Sequence, residues 1–279
     1  MRAPISVVVL TKNEEEHLPF CLASALWAEE LLVFDSGSTD RTVAIAERFG
    51  ARVLVHPFDD FARQRNRAQA AARYDWVLHL DADERISPEL AREVCRLAAT
   101  GALERCTAYH IRRVHLFSGR WLFDPRQPDP PAAIRRSEVP RLVDRRVVRW
   151  ERPLHEVAVA PEPRGVLRGR IYHLGDPTLS RAYENFDFYT SLEAAIVEPA
   201  RRVLLLEAVA RGLRAFGYHY TVGGLWRFGE VGLLLAIHLG YSKFMNWAKV
   251  WERQRIARGD GVWTSTDRAL LERYPRRAR

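Results

Sequence analysis

The chain has 279 residues, of which 47% are hydrophobic and 28% charged, and its formal net charge is +8. That balance excludes a disordered or fibrous chain and suffices for one large domain, or one domain with an appendage. Lys12, Lys243 and Lys249 are the only lysines, so the excess charge is arginine, which reflects either codon usage or attraction to phosphates and anionic lipid.

The arginines are scattered without an aromatic stacking platform, which argues against nucleic acid as a partner. Cys21, Cys95 and Cys106 are widely spaced without a C-x-x-C pattern and read as reduced thiols, not a disulfide or zinc framework. The start, Met1-Arg2-Ala3-Pro4, leads directly into a strand-like run with no apolar leader or cleavage site, so no signal peptide is expected.

Ile5–Thr11 is a β-branched run expected as a fully buried strand. The acids of Lys12–Glu16 suit the first turn of a helix, predicted to extend to about Trp27. Leu31–Asp35 is a second strand, followed by the turn Ser36–Asp40, where Thr39 or Asp40 caps a helix through Phe49. Ala51–Val55 is a third strand, and Phe61–Arg73 a helix carrying Gln64, Arg65 and Asn66. Trp76–Asp81 is a fourth strand, and Ser87-Pro88 opens another helix.

The fourth strand ends in Asp81-Ala82-Asp83-Glu84. In extended chain, residues i and i+2 point the same way, so Asp81 and Asp83 are expected to face one ligand together. Hard cations such as Mg²⁺ or Mn²⁺ take such oxygen ligands and share them with substrate phosphates. Alone, an Asp-x-Asp is as readily a helix cap or a solvated turn. Strand–helix alternation predicts a parallel sheet with helices on both faces and right-handed connections. Ligands of such sheets sit beyond the carboxyl ends of the strands, where Thr11, Asp35, Asp81 and Asp83 converge. Neither G-x-G-x-x-G nor G-x-x-x-x-G-K-[ST] is present, which disfavours a dinucleotide dehydrogenase or P-loop NTPase.

The runs Val9–Glu15, Val33–Thr42, Gln64-Arg65-Asn66 and Leu80–Glu84 follow one another in an order that resembles family 2 inverting glycosyltransferases, in the branch of lipopolysaccharide-core β-glucosyltransferases. The likeness is strong over residues 4–90 and weaker to about 175. It implies a GT-A, Rossmann-like α/β fold and a nucleotide-diphosphate sugar donor, with UDP-glucose favoured. By the same likeness Asp35 would contact base or ribose, Thr11, Asn13 and Arg65 would line the nucleotide pocket, and Asp81 would lie near the ribose. Asp83 would hold Mn²⁺ or Mg²⁺ across the diphosphate. Each has a structural alternative: Asp35 as a turn cap, Arg65 as a solvated arginine, Asn66 as a loop brace, His79 as a core histidine.

From Thr107 the pattern changes, and residues 101–177 read as an acceptor half that completes a catalytic domain begun by a nucleotide-sugar half, 1–100. Thr107–Val114 alternates as a strand, Gly119-Arg120-Trp121 also occurs in the resembled branch, and Val139–Val143 is a further strand. Asp124–Pro131 is too proline-rich for a regular element and is expected as a loop near the acceptor. His155-Glu156 matches a pair in the resembled branch. Glu156 is the expected general base, with His155 and Trp121 in support or acceptor contact; the alternative is an arginine ion pair. His173 ends another strand and suits an additional metal ligand or a buried structural histidine.

Residues 178–279 are expected to be helical, with helices over Leu179–Ile196, Ala200–Phe216 and Leu225–Trp251. Val203, Leu206, Val209, Leu213 and Phe216 form one apolar stripe. The stretch Val231–Ser242 lacks Lys, Arg, Asp and Glu but falls short of the ~20 residues of a bilayer crossing. An interfacial helix on the inner face of the membrane and packing within the protein or a homo-oligomer are both open readings. Arg273–Arg279 reads as a disordered basic end.

The expectation is a cytoplasmic, metal-dependent transferase acting on a glycolipid or polysaccharide hydroxyl in cell-envelope synthesis. Its rivals are a polyprenyl-phosphate sugar transferase, whose acceptor needs no base, and a non-catalytic nucleotide-sugar-binding scaffold.

Overall fold

The computed structural model describes residues 2–122, 139–175, 178–197 and 201–259. The chain divides into two compact units, Met1–Leu179 and Ser180–Arg279.

The first unit is built on strand β1, Ala3–Thr11, whose side chains are buried on both faces. Ile5, Val7 and Val9 pack to one side, with Leu18 and Leu22 of α1 (Leu18–Ser24), Ala46 of α2 (Thr42–Arg48) and Leu90 and Val94 of α4 (Pro88–Ala99). Val8 packs to the other side with Ala68 of α3 (Phe61–Ala71). Strands β2 (Ala28–Asp35), β3 (Arg52–Val55) and β4 (Trp76–Asp81) run parallel to β1, in the spatial order β3-β2-β1-β4. A continuous β-branched run is stable there because helices cover both faces. This is the parallel part of the sheet expected of the GT-A fold.

Beyond β4 the sheet becomes mixed. Strands β6 (Ala108–Phe117), β8 (Val139–Asp144) and β11 (Arg164–His173) extend it in the order β4-β8-β6-β11, and β5 (Glu84–Ile86) pairs antiparallel with the end of β11. A short β7 (Arg120–Trp121) folds back on β6, and β9 (Arg149–Glu151) pairs with β10 (Val157–Val159). Asp124–Pro131 and Arg273–Arg279 lie outside the described residues.

Two local expectations change. The helix after β1 does not start at Lys12. Asn13 takes a positive φ of 56°, and Asp40 and Thr42 side chains accept the backbone N–H of Glu15 and Glu14. With those amides taken by the next loop, helix begins only at Leu18. Asp40 likewise does not cap through the N-cap position; its Oδ1 accepts from Thr42 N, inside the first turn.

In the second unit α5 (Leu179–Ile196), α6 (Leu205–Tyr220) and α7 (Gly229–Ala257) are joined by short breaks, with a 3₁₀ turn over Leu225–Phe228. The apolar stripe of α6 is largely exposed. Ala208 and Gly212 are buried, whereas Leu206 is 77% and Leu213 66% exposed. Close approach decides this: a Cβ at Gly212 would lie 3.0 Å from the Gly240 carbonyl oxygen, so α6 turns its small residues toward α7. Among the described residues no single helix is long and apolar enough to cross a membrane. Leu205–Tyr220 and Leu225–Ala257 reach that length and composition only together, across a 65° bend.

In the first unit α4 rests directly on β11. A Cβ at Gly169 would meet Leu90 Cα at 2.3 Å and Leu90 N at 2.5 Å. Gly169→Ala should therefore push α4 off the sheet, cost about 1–3 kcal/mol and lower the melting temperature by several degrees in a thermal melt. Gly217→Ala, with nothing within 4 Å, should leave it unchanged or raised.

Candidate active site

Thr11, Asp35 and Asp81 are the last residues of β1, β2 and β4. The register sets Thr11 opposite Asp35 and Leu10 opposite Asp81. Parallel pairing thus brings three separated positions to one sheet edge.

Asp35 is fully buried and organises the turn after it. Its Oδ1 accepts from the Thr11 hydroxyl at 2.9 Å and from Ser38, and its Oδ2 from the backbone N–H of Gly37 and Ser38. Asn13 Oδ1 accepts from Thr39 N at 2.8 Å, and Lys12 Nζ donates to the carbonyls of Ser36 and Gly37. Thr11, Asn13 and Asp35 therefore shape one rigid loop, and all of Asp35's oxygens have protein donors.

The second feature is a buried charge lattice. Arg65 comes from α3 and is 3% exposed. Its Nη2 donates to Asp81 Oδ1 and its Nε to Glu156 Oε1, each at 2.7 Å, and its guanidinium lies 5.0 Å from the Trp150 ring centroid. Arg141 Nη2, from β8, donates to Asp81 Oδ2 at 3.0 Å and Glu84 Oε1 at 3.3 Å. Arg113 Nη1 bonds Glu84 Oε1 at 3.2 Å. Burial by itself would raise the Asp81 carboxyl, but Arg141 and then Arg65 outweigh it and hold that group well below the usual carboxylate range. Arg65 Nη1 and Arg141 Nη1 are buried without a hydrogen-bond partner among the described residues. Orphaned guanidinium donors of this kind suit an anionic ligand.

Asp83 takes a different partner. Residues 82 and 83 form a turn, closed by Asp81 N donating to Glu84 Oε2 at 2.9 Å. The extended geometry expected of the Asp-x-Asp does not hold, and the two carboxylates pair separately. Asp83 Oδ2 lies 3.0 Å from His173 Nε2, at the end of β11, where Leu174 N also bonds the Asp83 carbonyl. Burial opposes the charge on both. His173 keeps Asp83 below its ordinary value, and Asp83 lifts His173 above its own. A carboxylate oxygen and an imidazole nitrogen this close form a donor pair that fits a small divalent cation, with phosphate oxygens completing the shell. Among the described residues no cluster of three or more His, Cys, Asp or Glu side chains could hold a metal ion.

The other expected residues divide. Glu156 meets the lattice through Arg65. His155, beside it, is exposed on a loop with φ 54°. Trp121 is 42% exposed and packs edge-on against Tyr172 at 5.4 Å. Asn66 braces β9, donating to the Trp150 carbonyl and accepting from its N–H. His79 is a buried core histidine bonded to Gln69. Arg141, Arg113, Glu84 and His115 were not assigned from sequence. An arginine inside the apolar run of β8 was the available signal for Arg141; nothing local marked the others.

Comparison with known proteins gives the class, a glycosyltransferase. The sequence model described as glycosyl transferase family 2 matches residues 6–116. It is 26% identical over 278 residues to an uncharacterized glycosyltransferase of Rickettsia felis, covering 94% of this chain and 96% of that one. It is 25% identical over 265 residues to the lipopolysaccharide core biosynthesis glycosyltransferase LpsC of Rhizobium meliloti, covering 91% and 94%. Among solved structures, the S. aureus TarS fragment 1–349 with UDP-GlcNAc aligns with TM-score 0.48 and 18% identity, covering 92% of each chain.

Arg141 neutralises two carboxylates at once. Arg141→Met should destabilise the protein by about 3–5 kcal/mol at pH 7. Asp81's folded pKa is depressed, so its contribution is present above its unfolded value of about 3.9 and is lost as pH falls through the folded one. Urea melts should therefore show the gap to wild type wide at pH 7 and closing below pH 4.

Proposed function

We propose that this enzyme is a metal-dependent, inverting transferase that moves a sugar, glucose from UDP-glucose, to a hydroxyl of a glycolipid or polysaccharide acceptor in cell-envelope synthesis. The observation that carries this is the Asp83–His173 pair beside the Arg65-clamped carboxylates Asp81 and Glu156. Asp83 and His173 would hold Mn²⁺ or Mg²⁺, which neutralises charge on the departing diphosphate. Imidazole in the set favours Mn²⁺. Thr11, Asn13 and Asp35 present a rigid loop to base and ribose, Asp81 lies near the ribose, and Arg65 offers Nη1 to the anion. The LpsC relative, by its name, works in lipopolysaccharide core synthesis, and this supports the acceptor class.

Arg65 Nε holds Glu156 Oε1, which orients the carboxylate and leaves Oε2 for the acceptor proton. As the acceptor oxygen bonds to the anomeric carbon, the bond from that carbon to the diphosphate oxygen breaks. The proton passes to Glu156, and the nucleotide diphosphate leaves as the anion. One displacement inverts the anomeric configuration and needs no covalent nucleophile. His155 and Trp121, on the same half, support the acceptor.

The same ion pair favours one second reading. If Glu156 serves only to pair with Arg65, the acceptor brings its own anion, as a polyprenyl phosphate does.

Acceptor delivery fits an anionic lipid surface. Leu206, Val209, Leu213, Val222 and Trp226 are exposed on α6 and the turn after it. Every charged side chain from Ala208 to Gly229 is an arginine. Apolar side chains flanked by arginine suit the headgroup region.

Two experiments test these readings. In a thermal-shift assay, UDP with Mn²⁺ should raise the melting temperature of wild type and not of Asp83→Ala; absence of any shift with nucleotide and metal in wild type would sink the donor site. In the same preparation Glu156→Gln should keep the shift while transfer to a hydroxyl acceptor falls roughly 10²–10⁴-fold. Full activity of that variant on a lipid phosphate selects the second reading. Separately, wild type should co-sediment with phosphatidylglycerol vesicles and Leu206→Glu/Leu213→Glu should not. Equal binding by both refutes the lipid face, and a dimer lost in the variant assigns the face to a second copy.

A further inference from the structure

His115 lies on β6 directly opposite His173 in the parallel β6–β11 pair. In register, the two side chains share a face, with ring centroids 4.8 Å apart. His173 uses its two ring nitrogens on different partners. Nε2 is 3.0 Å from Asp83 Oδ2, and Nδ1 is 3.1 Å from His115 Nδ1. The imidazole ring aims these nitrogens in diverging directions, so His115 stands behind His173 and not beside Asp83. It is not a third ligand for anything held between Asp83 and His173.

An Nδ1 to Nδ1 contact between two imidazoles needs one proton between them, carried by one ring and accepted by the other. A histidine that offers the Nε2 lone pair to a metal must carry its ring proton on Nδ1, and the acceptor of that proton sets tautomer and ring orientation. The acceptor at hand is His115 Nδ1. Its position is fixed by strand register and not by a loop.

We propose that His115 is the positioning residue of the metal site: its Nδ1 accepts the Nδ1–H of His173 and so keeps His173 Nε2 turned toward Asp83 and available to the cation. This rests on the metal reading of Asp83 and His173 made above. A neutral imidazole acceptor, unlike a carboxylate, adds no negative charge behind the ligand.

The test compares wild type, His115→Gln, whose amide oxygen can still accept, His115→Phe, which cannot, and Asp83→Ala. Mn²⁺ binding is measured by calorimetry in the presence of UDP and without acceptor, so no turnover is read. His115→Phe should bind Mn²⁺ roughly 10–100-fold more weakly, and His115→Gln should recover most of the loss. Ring ¹⁵N shifts of the wild type loaded with diamagnetic Mg²⁺ and UDP should show the shared proton on His173 Nδ1 and none on His115 Nδ1. Wild-type affinity in His115→Phe, equal losses in Gln and Phe variants, or a proton on His115 Nδ1 overturns the proposal. Mn²⁺ bound by wild type and lost in Asp83→Ala, with His115→Phe unaffected, removes the positioning role alone. No Mn²⁺ bound by wild type removes the metal reading itself. Should His115→Phe not fold, the Gln variant and the wild-type ring shifts still decide.

Discussion

The guanidinium of Arg65 sits out of water between Asp81 and Glu156, with the Trp150 ring against it. A buried cation is tolerable only where carboxylates neutralise it and its donors find acceptors. Its neighbours answer that demand. Arg141 and Arg113 bring further positive charge to Asp81 and Glu84, so three arginines and three carboxylates compensate one another. The lattice joins α3, β4, β6, β8 and the loop carrying Glu156. It ties the parallel and the mixed parts of the sheet together at the edge where the chemistry is placed.

That position follows from backbone geometry. Parallel strands all present their carboxyl ends on one side, so the last paired residue of each is set at one edge while the strands stay rigid. Thr11, Asp35 and Asp81 are held this way. The mixed half adds what a purely parallel sheet lacks. Strand β11 returns between β6 and β5, so that His173, far along the chain, ends 3.0 Å from Asp83. A rigid loop on one side, a charge lattice in the middle and a carboxylate–imidazole pair on the other are three separately stabilised parts.

The second unit obeys a different economy. Its helices meet through glycine and alanine, with Gly212 against Gly240, and leave larger apolar side chains outside. Polar contacts tie α7 to α5: Lys249 bonds the Asp187 carboxylate, Thr190 and Ser191, and Asn246 bonds Glu193. Tight packing through small residues makes a helix pair whose apolar surface is directed outward, which is the arrangement the lipid reading needs.

Much of the first unit was legible because its signals are local. An unbroken β-branched run such as Ile5–Thr11 has one stable use, a strand buried on both faces, and Trp76–Asp81 was read to the residue. Ser87-Pro88 marked a helix start through capping chemistry alone. The convergence of Thr11, Asp35 and Asp81 followed from strand order. What sequence periodicity could not hold was anything set by partners distant along the chain. The helix after Thr11 was shortened because Asp40 and Thr42, more than 20 residues away, captured its first amides. Asp81 and Asp83 were separated because Arg141 and His173 each claimed one. The α6 stripe faced outward because Gly240 let a glycine face fit closer than leucines would. Residue types and their local spacing determined the parallel strands, the family resemblance and the list of charged groups. Tertiary structure alone decided which charges neutralise one another, since that depends on distance and burial, and neither is a property of chain position.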